Sequence, residues 1–141
     1  SDPYNLNTNF KRARIRKIIP EFKKEGLDIK KLKITINNLK SSDQAINYYI
    51  KENIENNSKY IVNRNCFIVK ESFFSKPREI VFRSFILLLT ELSGRFHPPR
   101  GKNTILAIEN LISGKVKKMT IGGCMIEKIQ KTIVILKEKR A

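Results

Sequence analysis

The residues of this chain that could do chemistry are clustered cations. One cluster occupies the segment from Lys11 to Lys17, and a second surrounds the Pro98-Pro99 pair. The planar, forked guanidinium of arginine matches the oxygens of a phosphate better than a lysine ammonium does. A stiff loop can also hold such groups with little loss of conformational entropy, which suits contact with a phosphate backbone. The candidate nucleic-acid-binding residues are Lys11, Arg12, Arg14, Arg16, Arg95, Arg100 and Lys102.

The overall charge balance points to the same kind of partner. The 141 residues include 29 Lys and Arg against 13 Asp and Glu, which gives a formal net charge of +16 and a pI near 10.1. Such an excess favours a polyanion, either a nucleic acid or an acidic membrane face. The longest apolar run, Phe85 to Leu89, is far shorter than the ~20 residues of a spanning helix. No signal peptide is visible either, so we expect a cytoplasmic protein without a membrane partner.

The sequence shows no complete catalytic set. His97 is the one histidine, and it lies next to Pro98 with no neighbouring carboxylate to orient it. Glycine-rich phosphate loops of the known spacings are absent. Cys66 and Cys124 have no CxxC partner, so we interpret both as reduced core thiols and expect no metal site. The chain is therefore predicted to bind rather than to catalyse, with no catalytic residue of its own.

The hydrophobic pattern in the first half predicts helices. A helix is expected from about 10 to 19, with Ile15, Ile18 and Ile19 packed inward and Pro20 interrupting it. Gly26 marks a break, and Asp28 is a good N-cap. Apolar residues at helical spacing then predict a long helix over 28–56, in which the stripe is a packing face.

The second half mixes strands and helices. Short β-rich runs at 60–62 and 66–69 bracket a turn-like triplet and predict a hairpin or an edge strand. A core helix is expected over 77–92 and ends at Gly94; a shorter one, capped by Asn103 or Thr104 and ended by Gly114, turns Ile112 inward. An antiparallel meander should follow at 119–121, 124–129 and 132–136. The predicted fold class is α+β and mostly helical: a long linker helix, then a helical module edged by a small antiparallel β meander.

Two stretches of the chain together resemble the tRNA(Ile)-lysidine synthetase family. The first resembles the end of that family's catalytic domain, with Tyr4 in place of the usual serine. The second resembles the C-terminal part of the bacterial form, with His97 in place of tyrosine and Lys137 in place of arginine. The matching residues are Asp2, Pro3, Asn5, Phe10, Arg12, Arg14 and Arg16 in the first stretch, and Gly94, Pro98, Pro99, Arg100, Thr120, Ile121, Gly122, Gly123, Cys124, Lys137, Glu138 and Arg140 in the second.

The resemblance implies a function for the whole family member and a smaller one for this chain. The family ligates lysine to the wobble cytidine of an isoleucine tRNA, using ATP and magnesium bound in an N-terminal domain with a Ser-Gly-Gly-x-Asp-Ser loop. These 141 residues lack that loop. The chain would then be the C-terminal part that grips tRNA, without a cofactor of its own and inactive alone. Its expected partners are tRNA and the catalytic domain of the same protein, and an exposed docking face could support a homodimer.

The resemblance also suggests how the chain is divided. Residues 1–27 would be the tail of the catalytic domain with its linker, 28–57 the long helix and 58–141 the tRNA-binding module. Two other readings of the residues stay open. One is a stand-alone basic nucleic-acid-binding module, and the other is a structural helical adaptor that does not bind RNA. Salt dependence separates them, because only phosphate contacts give a steep fall of affinity with salt.

Overall fold

The computed structural model describes residues 11–95 and 97–139. It is a mostly helical α+β structure with a small antiparallel sheet, as the sequence predicted. The chain divides into two compact units, Ser1–Asp43 and Gln44–Ala141, and the boundary falls within the long helix. The residues of the resemblance that lie outside the described part are Asp2, Pro3, Tyr4, Asn5, Phe10 and Arg140.

The first helix, α1, spans Lys11–Lys24 and runs through Pro20. The prediction that Pro20 interrupts it is wrong, because the helix continues past this proline. The φ of proline suits a helix, although Pro20 removes one backbone hydrogen bond and crowds the carbonyl four residues earlier. The helix ends near Gly26, whose φ of +100° takes the backbone out of the right-handed helical conformation. Ile15 and Ile18 were expected to pack inward, yet they are exposed, and Ala13 is the buried residue of this helix.

The long helix, α2, spans Ile29–Asn57 and begins at the predicted N-cap. Asp28 Oδ1 accepts hydrogen bonds from the backbone N–H groups of Lys30 at 2.9 Å and Lys31 at 3.4 Å, which confirms the cap. The predicted packing stripe is only partly observed. Leu39 is 64% exposed, whereas Ile50, in the C-terminal half of the helix, is buried.

The second unit contains one five-stranded antiparallel sheet with strand order β1-β2-β5-β4-β3. The predicted hairpin and meander both form, and pairing of β2 with β5 joins them, for example Phe67 opposite Ile135. The sequence did not predict this joining, since the two segments are far apart along the chain. The strands are β1 Ser58–Ile61, β2 Cys66–Val69, β3 Lys118–Ile121, β4 Cys124–Ile129 and β5 Thr132–Lys137.

Two helices contribute to the core beside the inner face of this sheet. They are α3, Arg78–Ser93, and α4, Gly101–Ser113, and both end at a glycine with positive φ, as predicted. The core includes Phe85 and Leu88 of α3 and Ile126 and Ile135 of the sheet, all fully buried. The predicted start of α4 is wrong by about one turn. Two further expectations also fail: Thr104 is buried within α4 instead of capping it, and Ile112 is exposed.

A buried polar network connects the end of α2 to the segment before α3 and to α3 itself. The side-chain amide of Asn53 donates to the carbonyl oxygen of Phe73 and to Ser84 Oγ, both at 3.3 Å. Asn57 Nδ2 donates to Asn53 Oδ1 at 2.8 Å, and Ser72 Oγ donates to Asn57 Oδ1 at 2.6 Å. The last turns of α2 therefore fold as part of the second unit.

Two sequence interpretations concerned the cysteines and the membrane. Cys66 and Cys124 are both free and buried, which confirms that they are core thiols. Among residues 11–95 and 97–139, no helix combines the length and the apolar character needed to cross a membrane.

Candidate nucleic-acid interface

The first cationic cluster lies on α1, in the first unit. Lys11, Arg12, Arg14 and Arg16 are all exposed, and the first turn of this helix contains no acidic residue. Arg12 and Arg16 are four residues apart and share one face of the helix. These exposed cations therefore form a local positive patch on α1, which favours an anion.

The second cluster lies on the α3–α4 connection, which we define as Gly94 to Arg100, and on the first turn of α4. Arg95, Arg100 and Lys102 are exposed. The backbone N–H of Arg95 donates to Ser93 Oγ at 3.2 Å. The carbonyl oxygen of Arg100 accepts two hydrogen bonds from Thr104, one from its N–H at 3.0 Å and one from its hydroxyl at 3.1 Å. Both ends of the connection are therefore fixed by local hydrogen bonds.

The connection also packs against the turn between β3 and β4. Gly122 and Gly123 form this two-residue turn, with φ of +59° and +77°, which is the geometry of a type I′ hairpin. An ideal Cβ at Gly122 would lie 3.3 Å from Pro99 Cγ, and one at Gly123 would lie 2.8 Å from Arg95 Nε. The positive φ favours glycine at both positions, and a Cβ at position 123 would also have to displace the Arg95 side chain.

The thiol of Cys124 lies directly beside this contact. It is fully buried, and its Sγ donates to the carbonyl oxygen of Leu89 at 3.5 Å. Burial raises the pKa of Cys124 to about 11, and the nearby cation of Arg95 opposes part of that rise. The thiol therefore stays protonated at neutral pH and acts as a packing group against α3.

A catalytic metal needs several ligating side chains close together. Within residues 11–95 and 97–139, no three His, Cys, Asp or Glu side chains lie together in a way that could hold a metal ion. His97 is exposed on the α3–α4 connection. The arrangement that these residues do provide is a set of exposed cations on well-anchored backbone, which suits contact with phosphates.

Comparison with known proteins gives one informative match. No protein-family profile matches the chain. The chain is 23% identical over 128 residues to the tRNA(Ile)-lysidine synthase of Anaplasma marginale (strain St. Maries). The chain is distantly similar to tRNA(Ile)-lysidine synthase. The match covers 90% of this chain but 28% of the relative, and it is consistent with a C-terminal fragment of that family.

The structure brings together the residues that carry the second part of the resemblance to the lysidine synthases. The segment from Gly94 to Arg100 and the segment from Thr120 to Cys124 meet where Pro99 and Arg95 contact the glycine turn. Glu138 of the closing segment joins them, because its backbone N–H donates to the carbonyl oxygen of Gly123 at 2.9 Å. The three motifs therefore form one local structure.

Some residues at this place were not predicted as functional from the sequence. Ser93, Lys137 and Glu138 line a depression together with Arg95 and Gly123. The Gly-Gly pair between two β-rich runs is a readable hairpin signal. Which loop would pack on that hairpin is a tertiary fact, and no local pattern in the sequence indicates it.

Proposed function

We propose that this chain is a tRNA-gripping part of a tRNA(Ile)-lysidine synthase and that it holds tRNA mainly by phosphate contacts. The observation that carries the proposal is the packing of the α3–α4 connection on the glycine turn. That packing holds Pro99 and the Arg95 guanidinium against the turn, while Arg95 and Arg100 both remain exposed. The distant similarity to a tRNA(Ile)-lysidine synthase supports the choice of tRNA among nucleic acids.

The electrostatics of the second cluster support the same conclusion. Arg95, Arg100 and Lys102 form no ion pair within 4.0 Å of a described carboxylate, so their charge is available to a ligand. Arg100 and Lys102 lie at the start of α4, whose first turn contains no acidic residue. The partial positive charge of the helix N-terminus and the two side chains act in the same direction. The net charge of +16 adds long-range attraction for a polyanion.

The division of labour within the whole protein is also part of the proposal. Lysine ligation to tRNA, with ATP and magnesium, belongs to the part of the protein that these residues do not include. The 141-residue chain alone is then expected to release no pyrophosphate when supplied with ATP, lysine and tRNA. Lysine-dependent pyrophosphate release by the purified chain would contradict this expectation.

The test of the proposal is a titration with tRNA at several salt concentrations. The variants are Arg100→Gln and Arg14→Gln, and Arg64→Gln is a matched control, because Arg64 is an exposed arginine outside both clusters. Each lost phosphate contact should lower the slope of log affinity against log salt by about one unit or slightly less. The control should keep the wild-type slope.

The possible results separate the proposal from its alternatives. A smaller slope of log affinity against log salt in both cluster variants supports contact with tRNA by residues of both units. If the chain binds tRNA but neither variant differs from the control, the clusters are solvated faces and the contact lies elsewhere. If the wild-type chain does not bind tRNA at moderate salt, the structural adaptor is the better description.

A further inference from the structure

A depression in the surface lies beside the glycine turn. It has a volume of about 510 Å³ and is lined by Ser93, Arg95, Gly123, Lys137 and Glu138. Two cations that come from distant parts of the chain therefore face one space. This volume lies in the range of small-ligand sites and is large enough for a phosphate with its adjoining sugar.

The sheet and the connection together determine the positions of these charges. Lys137 is the cross-strand partner of Cys124 in the β4–β5 pair. The backbone N–H of Glu138 donates to the carbonyl oxygen of Gly123 at 2.9 Å, which holds the end of β5 against the turn. Arg95 approaches the same turn, with its guanidinium close to Gly123. The site is thus built by main-chain pairing and close packing.

The local field supports this arrangement of charges. Arg95 and Lys137 both act to lower the pKa of the buried Cys124 thiol, and Glu138 acts to raise it. All three charges therefore lie near the same buried group. Neither Arg95 nor Lys137 forms an ion pair within 4.0 Å of a described carboxylate, although Glu138 lines the same depression.

We propose that this depression seats one phosphodiester of an RNA backbone between Arg95 and Lys137, with Gly123 as a positioning residue for Arg95. The proposal rests on the proposed function, since it takes RNA as the ligand. Two cations and one carboxylate sum to +1, which balances the single charge of a phosphodiester. Glu138 disfavours a dianion, so the site should prefer an internal phosphate to inorganic phosphate. Lys137 thereby joins the RNA-binding residues.

The experiment measures tRNA affinity and its salt dependence for charge variants of the 141-residue chain. Lys137→Gln should weaken binding about two- to fivefold and lower the salt slope by about one unit. Lys139→Gln is the matched control, because Lys139 is an exposed lysine close by on the chain that does not line this depression. It should keep the wild-type slope.

A second pair of variants tests the role of the carboxylate. Glu138→Gln should strengthen tRNA binding about two- to fivefold, because it removes the negative charge from the depression. Glu109→Gln is its control, since Glu109 is an exposed glutamate on α4 outside the depression. Inorganic phosphate should compete with tRNA no better than chloride does at equal ionic strength.

The outcomes distinguish this proposal from the proposed function. If the wild-type chain binds tRNA but Lys137→Gln and Lys139→Gln have the same salt dependence of affinity, the depression does not bind a phosphodiester. The proposed tRNA binding by the chain is then unaffected. Selective competition by inorganic phosphate also overturns the phosphodiester assignment. If the wild-type chain binds no tRNA, both proposals fail. Thermal unfolding of each variant checks that a loss of binding does not reflect a loss of fold.

Discussion

The guanidinium of Arg95 lies so close to Gly123 that a Cβ at this glycine would stand 2.8 Å from Nε and 3.0 Å from Cζ. Real Cβ atoms do not approach other heavy atoms this closely, so any side chain at position 123 must displace the arginine. The contact joins the α3–α4 connection to the β3–β4 turn. Gly123 consequently controls where the Arg95 guanidinium is placed, and this is the group that we propose binds a phosphate.

Gly123→Ala is expected to weaken tRNA binding through Arg95. A double-mutant cycle measures this dependence: Gly123→Ala should reduce affinity in the wild-type background and should have no further effect once Arg95 is alanine. Both backgrounds should also lose about 1–2 kcal/mol of stability, because alanine resists the φ of +77°. Affinity and thermal unfolding are measured on all four proteins.

Gly122→Ala is the control for this cycle. It carries a similar strain at a φ of +59°, but its nearest neighbour is Pro99 rather than Arg95. Its effect on affinity should be the same whether or not Arg95 is present. Equal and independent effects of Gly123→Ala in the two backgrounds would show that the turn contributes only to stability.

The side chain of Asn53 should be important for the stability of the second unit. It is 1% exposed and hydrogen-bonds to Phe73, Ser84 and Asn57. Asn53→Ala leaves buried polar partners unsatisfied, so it should cost about 1–3 kcal/mol in a denaturant titration. Asn56→Ala should change stability by less than about 0.5 kcal/mol, because Asn56 is an exposed asparagine in the same turn of α2. Similar values for the two variants would argue against the network.

Two adjacent leucines of α3 should respond very differently to truncation. Leu88 is fully buried in the core, whereas Leu87 is 50% exposed. Leu88→Ala should destabilise the fold by about 2–5 kcal/mol, because it removes buried methyl groups and leaves a cavity. Leu87→Ala should cost less than about 0.5 kcal/mol. A larger loss for Leu87 than for Leu88 in thermal or chemical unfolding would mean that the inward face of α3 is assigned incorrectly.

The buried thiol of Cys124 should make the protein less stable in alkali. Burial raises its pKa from 9.0 to about 11, so between these values the folded state holds a proton that the unfolded state has lost. The unfolded state binds fewer protons there, and the free energy of unfolding therefore falls as pH rises from about 9 to 11. Cys124→Ala should show a smaller fall over this range than wild type does. The same slope in both proteins would assign the fall to other groups.

Local signals in the sequence predicted much of the fold. Asp28 as an N-cap and Gly94 and Gly114 as helix ends were correct, because each acts through its own backbone and its nearest neighbours. Pro20 was misread because a tolerated proline and a helix-breaking proline have the same local pattern. The inward placement of Ile112 failed because helical spacing defines a face without showing which part of it another element covers.

The candidate site was predictable in its composition but not in its geometry. The arginines near the proline pair stood out by type and spacing, and the glycine pair was a recognisable turn. The contact of Arg95 with Gly123 depends on how the α3–α4 connection folds back on the sheet. Lys137 and Glu138 reach the same place only through the pairing of β5 with β4. These relations arise from tertiary packing, which residue spacing does not encode.

The strand order of the sheet has a consequence for how the chain folds during its synthesis. β5 is the last described strand to be made, yet it lies between β2 and β4 in the finished sheet. Until it leaves the ribosome, the β1–β2 hairpin and the β3–β4 hairpin each present an open edge to other chains. Contacts between residues so distant in sequence also form slowly. Nascent or truncated chains without β5 are therefore the species most exposed to aggregation and to capture by chaperones.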